Sequence, residues 1–257
     1  MIGRRAALIV LAGLGLAAAR AAPADAAVVV QASMLGQFMF GPEPRDDRSA
    51  PAPPVARYVS DEGQVFILDR SSPTPLLKFE DSSEVLALSP TQAARGDTIY
   101  RDDMGDQVLR LTRLGGLTVF FPGRPAGAPV AFAGQAPSIR LLPMNAAVLL
   151  QRLAQASSRA SRAARHLVIF DAQEVTPGTE AVIADAALVT AQAFVRLAGR
   201  RDGDGIVGRF ERVLFKPGSK GAVSAGKGVL SITVNAGQGL AGRPSSARIM
   251  AVAAKGR

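Results

Sequence analysis

The chain has 257 residues, no cysteine, no tryptophan and one histidine, His166. That composition excludes disulfides, cysteine nucleophiles and metal sites built from several imidazoles. The formal charge of +9 is unevenly divided: residues 27–137 hold 10 basic and 13 acidic side chains, net −3, and residues 138–257 hold 17 and 7, net +10.

The first residues place Arg4 and Arg5 before an apolar run, Ala6 to Ala19, and the small-residue site Ala24-Asp25-Ala26. This is the pattern of a signal peptide over residues 1–26, cut after Ala26. A run of that length is too short to span a bilayer core of roughly 30 Å comfortably. Export to the periplasm or beyond is the expectation, with a soluble mature chain and no transmembrane span in it. Residues 27–56 follow as an apolar lead-in, AVVVQASMLGQFMFG, and a proline-rich linker, GPEPRDDRSAPAPPVA.

A single domain is expected over residues 57–257, β-rich to residue 142 and mixed and basic from 143. RYVSDEGQVFILDR predicts a hairpin around Asp61-Glu62-Gly63, and DTIYRDDMGDQVLRLTR a second around Asp102 to Gly105. PLLKF and EVLAL are shorter apolar runs between them. GGLTVFFPGRPAGAPVAFAG suggests a third hairpin with Pro122 to Pro129 as its loop. Together these make an antiparallel meander. Helical periodicity then runs from Pro143 to Arg165, with Pro143 suited to the first turn. LVIFDA is a short strand and Thr179 to Leu197 a second helix. RFERVLFKPG and GVLSITVNAG are strands, and SSARIMAVAA is a last strand or short helix. The fold class is α+β: an N-terminal antiparallel β-meander followed by α-β-α-β-β. Whether both halves share one sheet is left open.

GAVSAGKG, residues 221–228, fits both a phosphate loop and the S-x-x-K of serine acyl enzymes. Gly228 stands where the former needs Ser or Thr, and neither match has its required helix, so a glycine-rich turn between antiparallel strands is expected. Residues 200–211 approach a calcium loop with Asp202, Asp204 and Glu211, but Arg200 replaces the first carboxylate. Asp102, Asp103 and Asp106 form a second acidic group. His166 follows Arg165 and is expected to close a helix. No catalytic residue, metal site or cofactor is assigned.

Two basic constellations stand out as candidate anion-binding residues. Arg159 and Arg162, with Arg165 beside them, share the helix of SSRASRAARH; Arg243, Ser245 and Arg248 sit in GRPSSARI. If the two converge, they form a site for phosphate or carboxylate groups; the alternative is a solvated helix face and a terminal segment whose arginines pair internally with the acidic first half. With two tyrosines available for stacking, nucleic acid is not expected as a ligand, nor is a nucleotide.

The phrases RYVSDEGQVFILDR, PLLKFEDSSEVLALSP, GDTIYRDDMGD, LRLTRLGGLTVF, RASRAARHLVIFDA and AGRPSSARI resemble a family of uncharacterised exported bacterial proteins, classed as a domain of unknown function. The resemblance implies a single exported domain without assigned activity, and it carries no functional residue across. The functional expectation is a binding or structural module of the cell envelope whose basic C-terminal half faces an anionic component or an acidic protein. The alternative is a carboxylate-dependent hydrolase acting on an envelope polymer.

Overall fold

Alternating apolar positions in RYVSDEGQVFILDR send Tyr58, Phe66 and Leu68 to one side of a hairpin, and the same alternation recurs through the first half of the molecule. The computed structural model describes residues 53–255. The expected signal peptide, and the lead-in and linker up to residue 52, lie outside the described residues.

Nine strands form one antiparallel sheet: β1 Val55–Ser60, β2 Val65–Asp69, β3 Leu76–Phe79, β4 Val85–Ala87, β5 Ser89–Gln92, β6 Thr98–Arg101, β7 Gln107–Leu111, β8 Leu117–Phe121 and β9 Arg124–Gln135. Their order is β4-β3-β2-β1-β9-β8-β7-β6-β5. The first two expected hairpins are present, as β1-β2 and β6-β7. The third is tighter than expected, because most of the presumed loop belongs to β9, which pairs with β8 up to Arg124. β1 also begins two residues before the expected domain start.

β4 and β5 stand at opposite ends of the order, yet only Leu88 separates them. Neighbouring Cα atoms lie about 3.8 Å apart, so the two edges must approach within roughly 7–8 Å at that point. The sheet therefore curls toward closure, as a barrel does. Leu88 is buried in the interior with Tyr58, Phe66, Leu77, Tyr100, Leu109 and Val119, which fill it with side chains.

Asp69, at the end of β2, holds the connection to the second half. Its carboxylate accepts from Ser71 N at 2.9 Å, and from Ser138 Oγ and Ile139 N at 2.7 Å each. Burial acts to raise its pKa, and the hydrogen bonds from Ser71, Ser138 and Ile139 outweigh that, holding it below its ordinary value.

The second half contains α1 Ala146–Ala164, β10 Ile169–Ala172, α2 Glu180–Ala198, α3 Gly203–Val207, β11 Arg212–Pro217, β12 Ala222–Gly226, β13 Val229–Val234 and α4 Ser246–Lys255. α1 starts later than expected because Asn145, not Pro143, makes the entry: its side chain accepts from Val148 N at 3.0 Å. Its apolar stripe, Leu149, Leu153, Ala156, Ala160 and Ala164, is buried, and α1 packs along α2. α2 is long and apolar enough to cross a bilayer by length and composition. Here it is a core helix, flanked by α1, α4 and strands, with residues on several sides buried.

The halves do not share a sheet. The second sheet has order β10-β11-β13-β12, with β10, β11 and β13 parallel and β12 antiparallel to β13. Two elements go beyond the expectation, α3 and β12, and the last segment, SSARIMAVAA, takes the helical alternative as α4. The GAVSAGKG stretch is not a plain turn, since Ala222–Gly226 is a strand and only Lys227-Gly228 turns, both at positive φ. The strands it was expected to join as an antiparallel pair, β11 and β13, run parallel.

Candidate functional site

GRPSSARI begins at a turn, residues 236–242, whose last glycine lies so close to the Asn235 carbonyl that a Cβ there would collide with it. The turn delivers Arg243 into the interior, where it donates from Nε to Asp185 of α2 and from Nη2 to the Val85 carbonyl at 3.1 Å. Ser245 then caps α4, its Oγ accepting from Arg248 N at 3.1 Å. The free N–H groups of that helix start meet carboxylates from the first half. Ser245 N donates to Asp103 Oδ2 at 2.9 Å and Ser246 N to Glu84 Oε1 at 2.7 Å. Arg248 Nε is 3.0 Å from the same Asp103 oxygen, and Arg196 Nη1 donates to Ser246 Oγ at 2.7 Å. Of the expected anion-binding residues, Arg243, Ser245 and Arg248 thus do surround anions, and the anions are the protein's own Glu84, Asp103 and Asp185.

The other group stays apart from this junction. Arg159 reaches across to Gln192 of α2, Arg162 Nη1 lies 3.3 Å from Ser158 Oγ one turn back, and Arg165 pairs with Asp204 at 3.2 Å on the surface. Arg165 terminates α1 in the left-handed conformation, and both ring nitrogens of His166 lie 3.0 Å from carbonyl oxygens, those of Ala164 and Phe210. His166 therefore fastens the end of α1 to Phe210, two residues before β11.

The acidic groups are likewise engaged. Asp102 Oδ1 accepts from Met104 N and Asp106 N, both at 2.9 Å, within its own hairpin. Burial raises its pKa above the ordinary value despite those bonds. The hydrogen bond from Arg110 lowers that of Asp97, with Nε 2.8 Å away, and Arg113 N adds to it. Glu62 pairs with Arg124 and Glu80 with Arg57. In the calcium-like loop Asp202 faces Arg200 at 3.8 Å, and Gly203–Val207 is helical. Among the described residues no group of three or more carboxylate or imidazole side chains is placed to hold a metal ion.

Further cations lie on and beside the second sheet. Alternation along RFERVLFKPG buries Val213 and Phe215 beneath the helices and turns Arg212, Leu214 and Lys216 to the opposite face of the second sheet. On β13 that face carries Ser231 and Thr233, and on β12 Ser224; the pairing Leu214↔Ser231↔Ser224 sets hydroxyls across its middle. Arg212 and Lys216 are four residues apart on one strand, roughly 13 Å. Lys227 in the β12-β13 turn and Lys220 in the β11-β12 loop add charge toward the two ends, against Asp171 and Glu211. Arg212, Lys216, Lys220 and Lys227 make no ion pair among the described residues. Period-two alternation in RFERVLFKPG was the available signal.

The S-x-x-K match resolves on this face too: Ser224 is on an edge strand and Lys227 in a turn, not on one helical turn as acylation chemistry requires. No curated protein and no solved structure matches the chain. The model of a family described as a domain of unknown function, DUF4908, matches residues 18–253, and the chain belongs to that family.

Proposed function

We propose that this protein is an exported binding module of the cell envelope, and that its basic second half meets an anionic component through the open face of the four-stranded sheet. The observation that carries this reading is the uncovered face itself: Arg212 and Lys216 flank a row of hydroxyls while the helices cover only the other side. The spacing of the two cations suits a ligand with repeated negative groups better than one small ion, and the hydroxyls can donate to oxygens between them. Of the first-half carboxylates, Glu84 and Asp103 are bound at α4 and Asp102 within its own hairpin. For the same reason a hydrolase of paired carboxylates finds less support, since Asp69, Glu84 and Asp103 are bound to backbone N–H groups.

The test is retention of the protein on vesicles containing phosphatidylglycerol, and on peptidoglycan, as salt is raised. Binding that weakens with salt and is lost in the Arg212→Glu, Lys216→Glu double variant supports the reading. Absence of binding at low salt, or binding indifferent to both substitutions, overturns it.

A further inference from the structure

β10 and β11 pair in parallel register, with Phe170 beside Val213 and Asp171 beside Leu214. Residues side by side on paired strands share a face. Phe170 and Val213 lie in the core beneath the helices, so Asp171 and Leu214 point out of the open side of the sheet. Arg212 and Lys216, two residues to either side of Leu214, point the same way. Neighbouring strands are about 4.8 Å apart and alternate residues about 6.6 Å, so the Cα of Asp171 is roughly 8 Å from that of each cation. The pleat thus holds one carboxylate between two cations.

The three charges do not consume one another. Among the described residues the side chains of Asp171, Arg212 and Lys216 make no ion pair, and the hydroxyls of Ser224, Ser231 and Thr233 beside them make no hydrogen bond. Each keeps its donors or acceptors for a ligand. Screening at physiological salt reaches its characteristic length at about 8 Å, so a negative group docked on Arg212 or Lys216 still feels Asp171. A ligand with negative groups alone is opposed by that carboxylate. One that also carries a positive group between them is attracted by it, which turns the same residue into a means of discrimination.

We infer that the anionic ligand of the open face also bears free amino groups: its carboxylates dock on Arg212 and Lys216, and an ammonium between them meets Asp171. The occupant is a polymer with both groups, the chemistry of a glycan cross-linked by short peptides. Charge complementarity selects it, because the cation-carboxylate-cation order on the sheet calls for the opposite order on the ligand. The hydroxyls of Ser224, Ser231 and Thr233 lie on the same face. They suit the neutral oxygens of such a chain, where a bilayer-binding surface presents large apolar side chains instead. This inference rests on the proposed function and deepens it, by making Asp171 the residue that sets specificity.

The probe is insoluble peptidoglycan with its amino groups either free or blocked by N-acetylation, which keeps the carboxylates and makes the polymer more negative. The full chain is expected to bind the free-amine polymer at least about tenfold more tightly than the acetylated one. Asp171→Asn is expected to abolish that difference with melting unchanged, and Asp171→Glu to retain it. Two results overturn the inference and leave the proposed function standing: binding that needs Arg212 and Lys216 yet is equal or stronger on the acetylated polymer, and a preference that Asp171→Asn leaves unaltered. Phosphatidylglycerol vesicles bound through the same cations as tightly as the free-amine polymer, or in its place, also overturn it, since the ligand then needs no amine. Binding to neither polymer nor vesicles at low salt, or binding indifferent to Arg212→Glu with Lys216→Glu, removes the proposed function and this inference together.

Discussion

Glu84 and Ser246 are 162 residues apart in the chain and meet through two hydrogen bonds, the Ser246 N–H donating to Oε1 at 2.7 Å and its hydroxyl to Oε2 at 2.5 Å. The carboxylate lies at the positive end of α4, where it satisfies groups the helix cannot satisfy internally. Because Glu84 belongs to the β-rich half and Ser246 to the other, the capping of α4 also joins the two. Glu84→Ala should lower unfolding free energy by about 1.5–3 kcal/mol, the range for a hydrogen bond to a charged group. Urea denaturation followed by circular dichroism measures it, and an unchanged midpoint would show that the junction does not hold the halves together.

Arg243 and Asp185 make a more enclosed pair. The arginine side chain is 2% exposed and the aspartate 21%. Arg243→Met leaves the carboxylate without its cation in a partly buried place, and a loss of about 3–5 kcal/mol is expected. Adding Asp185→Leu should recover much of that loss, since two apolar groups do not need each other to offset desolvation. A double variant as unstable as the single one would argue that Arg243 acts through the Val85 carbonyl instead.

Acid stability should depend on Asp69. Its folded pKa lies below the unfolded value, so the stabilisation is fully present above the ordinary carboxylate range near pH 4 and is lost as pH falls through the folded value. Asp69→Asn should reduce stability at neutral pH by about 1–3 kcal/mol, because amide hydrogens then confront donors from Ser71, Ser138 or Ile139. It should also flatten the decline of stability between about pH 4 and pH 2. Denaturant midpoints over that interval compare the two proteins, and parallel declines would remove Asp69 as the cause.

Lys227 occupies the first position of a two-residue hairpin turn at φ +50°, followed by Gly228 at +76°. Asparagine tolerates that conformation better than lysine, so Lys227→Asn should raise stability by about 0.5 kcal/mol. The same change removes a cation beside the open sheet face and should weaken retention on anionic vesicles. A thermal melt and a salt elution together test it; a variant both less stable and equally retained would contradict the turn geometry and the binding face.

Much of the local structure was legible. Hairpins at Asp61-Glu62-Gly63 and at Asp102 to Gly105 announced themselves because turn residues interrupt period-two patterns, and α1 because its apolar residues recur at helical spacing. β5 was not legible: SPTQ is exposed throughout and has no apolar alternation, and it is a strand because pairing with β6 makes it one. The residues at α4 were recognised as anion binders, which their donors make them. That they pair internally with the acidic first half was one of the two readings the sequence allowed; which carboxylates do so was not legible, because hydrogen-bonding capacity is a local property and the identity of the partner is not.

Residue order alone settled the α+β class, the absence of thiol chemistry and the concentration of positive charge in the second half, since each follows from composition or from neighbours in the chain. Folding decided which charges remain available. Glu84, Asp103 and Asp185 reach Ser246, Ser245, Arg248 and Arg243 only when distant segments pack, and that pairing uses up one arginine group while Arg212 and Lys216 stay exposed on the face the helices leave open. Electrostatic attraction acts over a few ångströms between groups of any separation in sequence, so the binding surface is set by tertiary contacts that the order of residues does not display.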